Sequence, residues 1–161
     1  MATAMLAPIA TQWEFRRSDD VQEAPAIEHS QRGASRLLQR HSKALDAEIE
    51  HATRLVSRER EAEDEIYSQE TLNRAVNFLK KHIRYAWEAC GTTAPIPVIG
   101  PGPAKSVDLY WKQSSWKLLV NIPADDKLET TFYGDDYGRN KIEGSLDPTD
   151  LSRPIVSWLI A

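Results

Sequence analysis

Ser106-Val107-Asp108-Leu109-Tyr110-Trp111-Lys112, followed after Gln113-Ser114-Ser115 by Trp116-Lys117-Leu118-Leu119-Val120-Asn121-Ile122, places an apolar side chain at every second position. Successive side chains of an extended chain point to opposite faces. Val107, Leu109 and Trp111 therefore share one face, as do Trp116, Leu118, Val120 and Ile122, and the short connection between the two runs suits a hairpin. Leu128, Thr130 and Phe132 continue the pattern in a third strand, and Ile142, Gly144 and Leu146 in a fourth. Pro123 and Pro148 punctuate the ends. Residues 106–147 thus read as a four-stranded antiparallel meander with one apolar face, and such a face needs a cover.

The cover lies upstream, in a helical region spanning 34–90. From Ala34, the positions Leu38, Leu45, Ile49, Ala52 and Val56 fall on one helical stripe. The last four also form a short coiled-coil seam, better satisfied within the domain than by self-association. Arg58 to Glu65 carries five acids and two bases, the mark of a solvated helical face or connection. A second, long and amphipathic helix is predicted from Gln69 to Cys90, with Ser68 as N-cap and Gly91 as the stop. Its stripe of Leu72, Val76, Leu79, Ile83, Ala86 and Cys90 matches the open face of the meander.

Residues 92–105 hold Pro95, Pro97, Pro101 and Pro103 with Gly100 and Gly102, a stiff crossing from helix to sheet. Residues 151–161 close the domain, with Ile155, Trp158 and Leu159 on the edge of the core. Residues 1–31 show no sustained period and read as a flexible leader, its aromatics Trp13 and Phe15 being candidate docking anchors. The expected fold class is α+β, with two helices packed on the meander in one domain, 32–161.

Composition narrows the function. The net charge of -4 argues against a surface that coats nucleic acid, and the apolar share of 41% is that of an ordinary globular chain. A lone Cys90 precludes an intrachain disulfide, and with no apolar run of spanning length the expectation is a cytoplasmic protein with no membrane partner. His29, His41, His51 and His82 fall in no metal-ligand spacing, no nucleophile elbow frames a serine, and the prolines of Gly100-Pro101-Gly102-Pro103 remove the N–H groups a phosphate cradle uses. No metal site, catalytic residue or cofactor is expected.

Two arrangements invite chemistry nonetheless. Asp108, with Asp135 and Asp136 of the third turn, supplies the carboxylates of a metal-dependent phosphodiesterase or nuclease, although Leu118 to Ile122 of the second strand lacks the acid of the acid-x-Lys arrangement such enzymes offer, and aspartate and glycine also form tight turns for ordinary reasons. Arg74, Lys81 and Arg84 stand opposite the second helix's stripe as a basic ridge suited to nucleic acid or an acidic protein, in a stretch from Thr71 to Trp87 that has no acid. Phe78 and Tyr85 flank that ridge, as partner anchors or as second-layer core beneath the first helix. The second face of the meander carries Tyr110, Leu119 and Tyr133, more apolar than a solvated face requires. The leading expectation is a non-enzymatic protein–protein interaction module: a small accessory subunit, or an antitoxin-like or immunity-like partner of a larger prokaryotic protein, binding that protein or its own copies through Trp13, Phe15, Phe78, Tyr85, Tyr110, Leu119 and Tyr133. The alternatives are the phosphodiesterase and a nucleic-acid-binding accessory using the basic ridge.

Overall fold

The computed structural model describes residues 25–59 and 66–161, with side chains described at 33–56 and 66–161. The chain divides into two units, Met1–Ala34 and Ser35–Ala161, and the architecture that follows is that of the second. The elements are α1 (Pro25–Glu59), which belongs to this unit from Ser35 onward, α2 (Gln69–Cys90), β1 (Val98–Pro101), β2 (Val107–Lys112), β3 (Lys117–Ile122), β4 (Thr130–Asp135), β5 (Lys141–Leu146) and α3 (Arg153–Leu159). The class is α+β, with three helices and five strands among the described residues where the sequence pointed to two and four. α1 starts inside the stretch read as leader, with Pro25 at the first helical position, where its missing N–H has no intrahelical partner to lose.

All neighbours in the sheet are antiparallel, in the order β1-β2-β3-β4-β5. The extra strand lies within the proline-rich crossing. Val98 pairs with Tyr110 and Gly100 with Asp108, so the prolines at 97 and 101 do not prevent pairing. At the other end the closing segment is a true helix, capped by Ser152, whose hydroxyl accepts the Ile155 amide at 3.4 Å, and opened by Pro154 in its first turn.

The inner face of the sheet presents Ile99, Val107, Leu109, Trp111, Leu118, Val120 and Ile122, all buried in one core with Leu45, Ala52 and Val56 of α1, Leu72, Ala75, Val76 and Leu79 of α2, and Ile155, Val156 and Leu159 of α3. Each buried Val, Leu or Ile side chain among these contributes roughly 1.5–3 kcal/mol on leaving water. The seam Leu45 to Val56 is therefore spent inside the domain. Trp111 Nε1–H reaches Pro95 O at 2.8 Å and Trp158 Nε1–H reaches Lys117 O at 3.2 Å, so the large rings bury their apolar bodies without stranding a donor.

α2 is fixed at both ends. Ser68 Oγ accepts the Thr71 amide at 3.0 Å, and Gly91, at φ 65, turns the chain in the left-handed region while its amide bonds Trp87 O at 2.8 Å. Its buried surface is wider than the stripe read from the sequence. Thr71, Phe78 and His82 are buried as well, Ile83 is half-buried, and Cys90 is exposed. The stripe assumed a helix covered on one side only, whereas α2 packs on β2 and β3 and also against α3. Leu128, assigned to the third strand, lies exposed in the loop before β4, whose inward positions are Thr130, Phe132 and Gly134.

Candidate functional site

The outer face of the sheet is the surface on which the most candidate residues converge. Side chains facing away from the core line up in three cross-strand rows, because every register is antiparallel and uninterrupted. The central row is Val98, Tyr110, Leu119, Tyr133 and Glu143, one residue from each strand. Val98 is 62% exposed and Tyr110 36%, and Leu119 and Tyr133 are half-buried. Leu119, Asn121, Thr131, Tyr133 and Glu143 line a shallow depression of 410 Å³. The β-propensity that favours Val, Tyr and Leu here needs no second apolar face in an antiparallel sheet, whose outer side is ordinarily polar.

One flanking row is basic: Lys112, Lys117, Asp135 and Lys141. Lys117 Nζ lies 3.9 Å from Asp135 Oδ2, which also accepts the Tyr133 hydroxyl at 3.2 Å, so the ring of Tyr133 is oriented along its own strand. The Gly138 amide, at 2.9 Å from Oδ1, is the main cause holding the Asp135 carboxyl below its ordinary 3.8, with Tyr133, Lys117 and Lys141 acting in the same direction and partial desolvation against it.

The opposite row, Gly100, Asp108, Asn121, Thr131 and Ser145, ends in a polar clamp. Asn121 Nδ2 donates to Ser106 Oγ and to Asp108 Oδ1, both at 2.6 Å. The clamp closes over Gly102, where a Cβ would fall against Ser106 Oγ, 2.6 Å from Asp108 Oδ1 and 2.8 Å from Asn121 Nδ2, so any other residue would push these side chains apart. The turn that follows carries Ala104 at φ 52 and Lys105 at φ 61, and it is closed by the Gly102 amide on Ser106 O at 2.9 Å. Ser106 Oγ and Asp108 Oδ1 both accept from the one Asn121 amide nitrogen, so this arrangement locks the turn.

The carboxylate constellation does not assemble. Asp108 and Asp135 occupy opposite flanking rows, four residues apart along the strands, or about 13 Å. Asp136 caps the β4–β5 turn, accepting the amides of Arg139 at 2.8 Å and Asn140 at 2.5 Å and the Asn140 side chain at 2.7 Å. Those bonds, the Asn140 amide foremost, lower its pKa from 3.8. Asp135 and Asp136 are thus turn formers, and among the described residues no group of three His, Cys, Asp or Glu side chains is placed to hold a metal ion.

The basic ridge dissolves too. Arg74 donates to Pro123 O at 2.6 Å and Ala124 O at 2.8 Å, Lys81 donates to Thr149 O, and only Arg84 stays outward, 3.9 Å from Glu88. Two of the three cations fasten loop carbonyls to α2, and the third has an acid one turn away, just beyond the acid-free stretch that suggested the ridge. Phe78 is 1% exposed and stacks its ring 4.0 Å from that of His82, so as a partner anchor it is corrected to a core residue, and Tyr85 is half-buried against the same core. Trp13 and Phe15 lie outside the described residues.

What remains together is Tyr110, Leu119 and Tyr133, joined by Val98. Val98 was not among the candidates, because its strand was read as a connector; its alternation with Ile99 was the available signal. No helix among the described residues is long and apolar enough to cross a membrane. Comparison with protein-family models, with curated proteins and with solved structures returns no match to this chain, so the reading of the surface rests on its own residues.

Proposed function

We propose that this chain is a non-enzymatic interaction module that docks a partner protein on the outer face of its sheet, in the manner of an accessory subunit or an antitoxin-like or immunity-like companion of a larger protein. The observation that carries the reading is the row Val98, Tyr110, Leu119 and Tyr133, an apolar stripe across four strands on the face away from the core. Tyrosines with apolar neighbours anchor interfaces because each ring buries a large area at low conformational cost and keeps a hydroxyl for a polar contact. Lys112, Lys117 and Lys141 on one flank favour a partner surface whose apolar centre is bordered by acidic side chains.

The test is recovery of the tagged full chain from its native host, with quantitative mass spectrometry of what accompanies it. A companion in near-stoichiometric amount is expected with the native sequence and lost with Tyr110→Asp combined with Leu119→Lys. Retention of the same companion by that variant, or enrichment of none by either, would sink the proposal. Both substitutions point away from the core, so the melting temperature should stay nearly unchanged, and this separates lost docking from lost folding.

A further inference from the structure

We infer that two copies of this chain pair through β5, antiparallel and about a twofold axis at Gly144, joining their sheets edge to edge. The inference goes beyond the docking face and does not rest on it.

The two edges of the sheet are built differently. Ile99 N–H donates to Glu48 Oε1 at 2.8 Å, so it points away from β2. Backbone groups two residues apart along a strand point the same way. The nitrogens of Pro97 and Pro101 therefore lie on that free edge, and neither carries a hydrogen. No N–H is left on β1 for another strand, a common device against edge pairing. Following the alternation through the registers, Leu109 bonds Val120, Leu119 bonds Tyr133, and Phe132 and Gly134 bond Gly144 and Ile142. The turn bonds from Gln113 N to Trp116 O and from Asp136 N to Asn140 O fall in the same alternation. It follows that Lys141, Glu143 and Ser145 turn their N–H and C=O groups outward. None of these three amides has a partner among the described residues, and β5 carries neither proline nor bulge.

The exposed strand is complementary to itself. With the axis at Gly144, Lys141 faces Asp147 of the second copy, Ile142 faces Leu146, Glu143 faces Ser145, and the two glycines face each other. Opposite charges meet on the outer side and apolar side chains on the inner side. An axis at Glu143 sets that carboxylate against itself, and an axis at Ile142 overlaps only residues 141–143. The inner side also has apolar surface to cover. Phe132, Ile142 and Leu146 are half-buried, because α2 sits over β2 and β3. The Phe132 ring lies on Gly144, its Cζ 2.9 Å from where a Cβ would stand, so two glycines at the axis let the two rings approach across it.

Sedimentation equilibrium of the full chain should show a concentration-dependent dimer. Ser145→Pro, outside the docking row, removes an outward N–H and leaves the β4 ladder intact; two interchain hydrogen bonds are lost, and the dissociation constant should rise about thirtyfold. In a Cys90→Ser background, an equal mixture of Glu143→Cys and Ser145→Cys chains should form a mixed covalent dimer on mild oxidation, far beyond what either gives alone. The cysteine arm stands even if the proline variant fails to fold. A monomer at every concentration, as when a segment of a different protein takes the edge, overturns the inference. So does a dimer indifferent to Ser145→Pro in a chain that melts normally, or the absence of the mixed cross-link. Tyr110→Asp should leave the dimer intact, which keeps this result apart from the loss of a docked companion.

Discussion

His82 Nε2 accepts the Ser152 amide at 3.0 Å, so the ring proton resides on Nδ1 and is donated to Phe78 O at 2.9 Å. The ring is neutral in the fold, and it ties the N-cap of α3 to the middle of α2. Burial is the main cause lowering its pKa below 6.5, with the Phe78 carbonyl opposing and the Lys81 charge adding a little. As pH falls, the unfolded chain thus takes up this proton before the folded one. The stability His82 contributes is complete above pH 6.5 and is lost as pH falls from there through the lowered folded value. Urea midpoints measured between about pH 7.5 and about pH 5 should decline, and His82→Gln should flatten the decline. Asp135, Asp136 and Asp147, each lowered from 3.8, act only at more acid pH. Thr130 offers the reverse case. Its Oγ1 is buried without a hydrogen-bond partner, so Thr130→Val, which keeps the shape and removes the hydroxyl, should raise stability by about 1 kcal/mol, read as a higher melting temperature.

At the scale of elements, the helix α2 organises the molecule through side chains whose roles depend on what crosses above them. Arg74 and Arg84 look alike in the sequence, yet one satisfies two carbonyls of the loop after β3 and the other stands in solvent beside Glu88. Arg74→Ala should therefore cost about 1–2 kcal/mol and speed amide exchange in residues 124–129, whereas Arg84→Ala should stay within about 0.5 kcal/mol of the parent. Denaturant melts with hydrogen exchange distinguish the two. Equal effects would show that the loop carbonyls gain nothing from the guanidinium. The β4–β5 turn follows the same principle: Asp135 and Asp136, legible as a catalytic pair, have their acceptor positions taken up by the amides of residues 138–140.

At the scale of the whole molecule, the sheet has one covered face, one bare apolar row, one closed edge and one open edge. The docking row and the backbone edge of β5 are different surfaces, and Ser145 lies outside that row, so the two tests are independent. Tyr110→Asp with Leu119→Lys should abolish the companion and spare the dimer, and Ser145→Pro should weaken the dimer and spare the companion. If both variants lost both properties, the native fold and not either surface would be at fault, and the melting temperatures would show it.

The sequence by itself determined the α+β class, the alternation of β2 and β3, the caps of α2 and the outward placement of Tyr110, Leu119 and Tyr133, because period, cap chemistry and strand alternation act between residues near in the chain. Only the tertiary structure decided that Val98–Pro101 is a strand, since a proline's cost depends on whether its nitrogen faces a neighbour. It also decided that Phe78 and His82 are core, that Arg74 and Lys81 are fasteners, and that Asp108 stands apart from Asp135. Each of these depends on partners tens of residues away, and residue type and local spacing carry no record of what a distant segment will bring.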